Sequence, residues 1–159
     1  MNLVRSAQGH ANARPALPNF DLRPHHFGVS APDLDAAVNW YETMLGFQLE
    51  SRMKLDSIPA RIAFLRRDNF RIEIFEIAGA ARLPDARREP DLDLRTHGNK
   101  HMCFEVANVA AALDALTSRG VDVALRLTVD GNATAFIRDI AGNLIEPVEP
   151  SRADRRSAV

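Results

Sequence analysis

The chain reads as an α+β protein made of paired βαβββ modules that form a curved, cup-like mixed sheet with helices on the outside. Three observations predict this. Two segments, HFGVSAPDLDAAVNWYETMLGF from His26 and HMCFEVANVAAALDALTSRGV from His101, carry the same apolar spacing. Each is followed by three strand-like runs. Each set of runs ends near a glutamate at a matching distance, 47 residues from His26 to Glu73 and 45 from His101 to Glu146. A repeat of this kind decides the architecture before any single element does.

The elements follow in order. After His26 a short apolar run reads as a strand, and Asp33 is placed to cap the helix behind it. Leu34, Ala37, Val38 and Tyr41 then stand at i, i+3, i+4 and i+7, one face of an amphipathic helix that Gly46 ends. Gln48 to Leu55, Ala60 to Arg66 and Phe70 to Ile77 read as three strands, the first two joined by a turn near Asp56–Pro59. Residues 78–99 form a charged connection holding Arg82, Arg87, Arg88, Arg95 and His97, long enough to cross between modules and flank a site. From His101 the pattern repeats. Asn108 is the cap, Val109, Ala112, Leu113 and Leu116 the apolar face, and Gly120 the helix end. Asp122 to Val129, Asn132 to Arg138 and Asn143 to Glu149 are the strands, with turns at Asp130–Gly131 and Ala141–Gly142. The modules thus span about 23–77 and 100–149 of one domain, 23–149. Residues 1–22 are a polar lead-in and 150–159 a polar tail.

Composition narrows the function classes. A length of 159 residues suits one buried core. The net charge of -1 argues against a nucleic-acid partner, which calls for a basic surplus. Basic side chains are 18 Arg against 2 Lys, which is either a genomic bias or a supply of two-pronged clamps for carboxylates and phosphates. No apolar run approaches the roughly 18 residues of a membrane span, and the first twenty residues lack the apolar stretch of a signal peptide. The single cysteine, Cys103, excludes an intrachain disulfide and fits a reducing cytoplasm.

Alternation along strands gives candidate site residues. Phe27 and Val29 oppose His26, Gly28 and Ser30; Phe70, Ile72 and Ile74 oppose Arg71, Glu73 and Phe75; Met102, Phe104 and Val106 oppose His101, Cys103 and Glu105. Helices cover the apolar faces, so His26, Glu73, His101 and Glu146 project from the concave side. Two imidazoles and two carboxylates are costly to leave unpaired in a cleft, and one divalent cation ligated by all four offsets that cost. The mixed nitrogen and oxygen set suits Zn, Ni, Co, Fe or Mn, and an octahedral ion keeps open positions for water or a small-molecule substrate. A single strand histidine is ordinarily a hydrogen-bonded one, and a single inward glutamate ordinarily pairs with an arginine such as Arg71. Two equivalent His–Glu pairs in a duplicated module favour the metal. His25 is the rival ligand to His26. Cys103 reads as a small strand cysteine, Glu105 as a rim ion-pair partner, and Trp40 and Phe47 as core or near-core residues. His10 and His97 receive no role.

These residues resemble the vicinal oxygen chelate superfamily, which includes glyoxalase I, bleomycin resistance proteins and extradiol dioxygenases. The likeness rests on the two segments quoted above and on RDIAGNLIEPVE, and covers about residues 24–149. Its ligand pattern is most similar to glyoxalase I and methylmalonyl-CoA epimerase. The resemblance implies metal ligands at His26, Glu73, His101 and Glu146, and a homodimer in which chains often share modules. It further implies a lyase or isomerase that stabilises an enediolate or oxyanion on the metal. A glutamate moves the proton α to a carbonyl, Glu146 as first candidate and Glu73 as second. Arg71 is a candidate for substrate binding. The alternatives are an Fe(II) extradiol-type dioxygenase using His26, His101 and Glu146, and a thiol transferase or drug-binding resistance protein.

Overall fold

A computed structural model describes residues 22–151; the two terminal segments, and His10 within the first, lie outside them. The order of elements is β1 (Phe27–Ser30), α1 (Leu34–Leu45), β2 (Gln48–Leu55), β3 (Ala60–Arg67) and β4 (Phe70–Ile77), then β5 (Met102–Glu105), α3 (Val109–Thr117), β6 (Asp122–Val129), β7 (Asn132–Arg138) and β8 (Leu144–Val148). The connection carries a 3-10 turn at Asp85–Arg87 and a one-turn helix α2 (Pro90–Asp93). The α+β class and its paired modules are as the repeat predicts. Each module has its own mixed four-stranded sheet, β1-β4-β3-β2 and β5-β8-β7-β6. In both, the first strand pairs in parallel with the last, Gly28 beside Glu73 and Cys103 beside Glu146. The expected cup is therefore divided into two sheets.

Local chemistry explains the helices. Asp33 and Asn108 take extended backbone and accept hydrogen bonds from Ala36 N and Ala111 N, at 3.0 and 2.8 Å. A second carboxylate completes each start: Glu76 Oε2 accepts from Leu34 N at 2.7 Å, and Glu149 Oε1 from Val109 N at 3.0 Å. These acids suit the positive end of a helix dipole. Gly46 closes α1 at φ 67°, a conformation that costs little without a Cβ. The third helix stops earlier than predicted. Ser118 returns its hydroxyl to Ala115 O, Arg119 N and Gly120 N bond three residues back, and Gly120 turns the chain beyond this tightened end. Asn143 also falls outside its predicted strand. Its backbone N–H and side-chain amide both donate to Asp139, at 2.9 and 2.8 Å.

One apolar core joins the modules. Leu34, Ala37, Val38 and Tyr41 of α1 lie in it with Leu65, Ile72 and Ile74, as do Val109 and Leu113 of α3 with Ile137 and Ile145. Burying each such Leu or Ile side chain stabilises by about 1.5–3 kcal/mol. Phe47 sits among these residues, and Trp40 packs against them edge-on to Tyr41. Helices and strands of both modules thus contribute to a single core.

Residues 78–99 fold against the second module. Arg138 donates to Arg88 O at 2.7 Å and pairs with Glu89 at 2.8 Å. Buried Asp93 pairs with Arg87 at 2.8 Å, and Arg82 with Asp85 at 3.0 Å. The Arg88 side chain lies against Gly142, where a Cβ would stand 2.8 Å from it. No helix among the described residues is long and apolar enough to cross a membrane.

Candidate functional site

Each module sets one histidine beside one glutamate. In the first, His26 just ahead of β1 meets Glu73 of β4, with Nε2 and Oε2 2.9 Å apart. In the second, His101 ahead of β5 meets Glu146 of β8, again 2.9 Å from Nε2 to Oε2. Parallel pairing of first and last strand sets Gly28 beside Glu73 and Cys103 beside Glu146; each histidine lies two residues earlier on the same face, within reach of the glutamate. All four side chains are partly enclosed, 14–32% exposed.

The surroundings repeat as well. His26 presents its ring edge-on to Phe64 of β3 at 5.5 Å, and His101 to Phe136 of β7 at 5.0 Å. Phe64 and Phe136 occupy matching places in FLRR and FIRD, a repeat signal that strand alternation alone does not single out. Gly28 leaves room for Phe75, whose ring would stand 3.4 Å from a Cβ there.

The halves differ in their polar neighbours. In the second, Thr134 Oγ1 donates to Glu146 Oε1 at 2.9 Å. Cys103 lies beside the same carboxylate; burial, then the Glu146 charge, pushes its thiol up to about 12. A recess of about 260 Å³ opens here, lined by Glu105, Asn132, Thr134, Glu146 and Glu149 among others. The first half is basic. Arg71 does not pair with Glu73. Its Nε donates to Glu50 at 2.5 Å, its Nη1 to His25 Nε2 at 3.1 Å, and its guanidinium lies 4.3 Å above the Phe64 ring. Arg66 also binds Glu50, and the two arginines, Arg66 foremost, hold that carboxyl below its ordinary range. His25 is hydrogen-bonded through both nitrogens, to His26 and to Arg71.

Each half offers one imidazole and one carboxylate, donor types that can ligate a divalent cation. Both pairs stand 2.9 Å apart, the distance of an N–H···O hydrogen bond and also that of two ligands at right angles on an ion with bonds of roughly 2.0–2.1 Å. The halves stay separate within the chain: among the described residues no group of three or more His, Cys, Asp or Glu side chains is close enough to hold a metal ion. A larger cavity of about 430 Å³ is lined by Phe47, Phe70, Phe104, Leu116, Ile137 and Ile145 among others, and touches none of the four.

Comparison with known proteins gives the family and the fold. Residues 23–146 match the model of the Glyoxalase/Bleomycin resistance protein/Dioxygenase superfamily. The human mitochondrial methylmalonyl-CoA epimerase is 25% identical over 133 residues, 78% of this chain and 72% of that protein. The ethylmalonyl-CoA/methylmalonyl-CoA epimerase of Cereibacter sphaeroides is 25% identical over 130 residues, 78% of this chain and 95% of that one. Among solved structures, a glyoxalase family protein from Enterococcus faecalis superposes with TM-score 0.69 at 21% identity, over 80% of this chain and 97% of that one. Glyoxalase I from Zea mays gives 0.62 at 20% identity, over 79% of this chain and 44% of that longer one.

Proposed function

The chain belongs to the Glyoxalase/Bleomycin resistance protein/Dioxygenase superfamily, and from that membership we propose that it is a metal-dependent lyase or isomerase of the glyoxalase I or epimerase type. The observation that carries this reading is the pair of equivalent His–Glu contacts, His26–Glu73 and His101–Glu146, each spaced at 2.9 Å as two ligands on one ion would be. The likeness to two acyl-CoA epimerases supports the choice within the family.

In this reading His26, Glu73, His101 and Glu146 hold one divalent ion. When bound, the ion supplies Lewis-acid stabilisation of negative charge developing on a substrate oxygen. The chain's own residues do the rest. Glu146, held by the Thr134 hydroxyl, is the first candidate to accept the proton α to a carbonyl, and Glu73 the second. Phe64 and Phe136 wall the two imidazoles and limit their rotation. Arg71, fixed over Phe64, is placed to meet an anionic or carbonyl oxygen of a small substrate. Because the two pairs stay apart in one chain, the complete site takes its first half from one copy and its second from another, which makes the active species a homodimer.

Metal content and solvent exchange test the reading together. Glu73→Ala and His101→Ala are each expected to lose bound zinc, nickel or cobalt. The wild-type protein is expected to exchange solvent deuterium into the α position of a 2-substituted malonyl thioester or an α-hydroxyketone. Full metal content in both variants sinks the ligand set. Oxygen uptake with a catechol, and no exchange, replaces proton transfer with dioxygenase chemistry.

A further inference from the structure

We infer that His25 is a positioning residue that sets which nitrogen of His26 carries the hydrogen, and that Arg71 holds His25 to this task. The part concerning metal loading rests on the function proposed above. A guanidinium has donors and no acceptor, so the 3.1 Å contact from Arg71 Nη1 makes His25 Nε2 an acceptor. A neutral imidazole has one ring N–H, and in His25 it must therefore sit on Nδ1. That nitrogen lies 2.6 Å from Nδ1 of His26, and facing nitrogens at this distance share one hydrogen. His25 donates and His26 Nδ1 accepts. The hydrogen of His26 is left on Nε2, where it points at Glu73 Oε2, 2.9 Å away.

Three groups consequently donate in one direction, Arg71 to His25, His25 to His26 and His26 to Glu73. Rigid packing supports the series. The two imidazoles meet edge-on at 4.9 Å, and Phe64 touches both ends, His26 against its edge and Arg71 over its face. The second module has no counterpart. The residue before His101 is Lys100, whose ammonium donates to the carbonyl oxygens of Asp93 and Thr96. His101 lacks this neighbour, so the two halves of the proposed centre are not equivalent in how their imidazoles are oriented.

A ligand role for His26 Nε2 reverses the series. That nitrogen must offer its lone pair, so the shared hydrogen passes to Nδ1 of His26. Nδ1 of His25 becomes the acceptor, and His25 carries its hydrogen on Nε2. The two rings together hold two hydrogens before and after, one leaving His26 Nε2 and one arriving at His25 Nε2, with no change in charge. Arg71 Nη1 then has no acceptor on His25 and is released, while Glu50 and Phe64 still hold the rest of its head. Loading of the centre is thereby coupled to freeing a guanidinium donor beside it, available to a substrate oxygen.

Long-range proton–nitrogen correlation spectra of the full chain, with labelled histidine and at a pH where the rings are neutral, read the tautomers directly. In metal-free protein His25 is expected as the Nδ1–H form and His26 as Nε2–H; the opposite assignment overturns the inference. Glu73 only accepts and so favours the same form of His26; the variants are therefore made in Glu73→Ala protein. There His25→Ala is expected to leave His26 a mixture of tautomers, and His25→Asn, with an amide nitrogen in place of Nδ1, to restore the Nε2–H form. A His26 spectrum unchanged in the alanine variant overturns the positioning role. On titration with zinc, both rings are expected to exchange forms together. Conversion of His26 alone overturns the release of Arg71. Zinc that alters neither ring overturns the metal-binding proposal and the release with it, while the metal-free spectra still decide the positioning role.

Discussion

The phenol of Tyr41, on the helix of the first module, donates to the carboxylate of Asp139 in the last turn of the second, at 2.9 Å and across 98 residues of chain. Both are buried. Asp139 also accepts from the backbone N–H of Ala141 and Asn143 and from the Asn143 side chain, which reaches on to Ser30 O at 3.3 Å. A charged group so enclosed is stable only while its donors remain. Tyr41→Phe removes one of them, and the protein is expected to lose about 1.5–3 kcal/mol in urea unfolding, with the transition slope unchanged. A loss under a few tenths would show that the link does not hold the modules together.

The same contact sets an alkaline limit. Burial first, and then the Asp139 charge, raises the Tyr41 phenol well above its ordinary 10.0. Since the folded value is the higher one, the associated stability is fully present below the unfolded value and is lost as pH rises from about 10 towards the folded one. Tyr41 is the one tyrosine in the sequence, so phenolate absorbance reports it alone. That absorbance should appear only as the far-ultraviolet circular dichroism of the fold collapses. Phenolate formed in intact protein at its ordinary pH would contradict the buried geometry.

Both helix starts carry the same double cap, Asp33 with Glu76 and Asn108 with Glu149. Asp33→Ala and Asn108→Ala should each cost about 1 kcal/mol of stability. Glu149→Gln should cost less than Glu149→Ala, because an amide oxygen still accepts from Val109 N. Thermal melts of the four variants provide the comparison, and equal melting of the two Glu149 variants would remove the cap from this account.

Sharing of the centre between copies has its own signature. Glu73→Ala and Glu146→Ala variants, each expected to be inactive alone, should regain about a quarter of wild-type activity when mixed chains form two-fold dimers, since a mixed dimer holds one intact site. Co-expression followed by activity and metal measurement gives the answer. No recovery in a confirmed mixed dimer would place all four ligands within one chain.

Much of this protein was legible in its residues. The duplicated spacing from His26 and His101, the caps Asp33 and Asn108, and the apolar faces of both helices are local or periodic signals, and each appears at its expected place. His26, Glu73, His101 and Glu146 lie outside the core cluster, in two separate pairs where one concave face was expected. Interactions that join distant residues were not readable. Nothing in the order of residues announces that Glu76 and Glu149 would cap helices 40 or more positions away, or that Arg71 would choose Glu50 and His25 over Glu73. Nor does it say that the two modules would share one core while their His–Glu pairs stay apart. A repeat specifies the unit, since each unit's contacts are encoded within it. How two units pack is decided by side chains such as Tyr41, Phe47, Phe104 and Asp139, whose partners only the folded chain brings near.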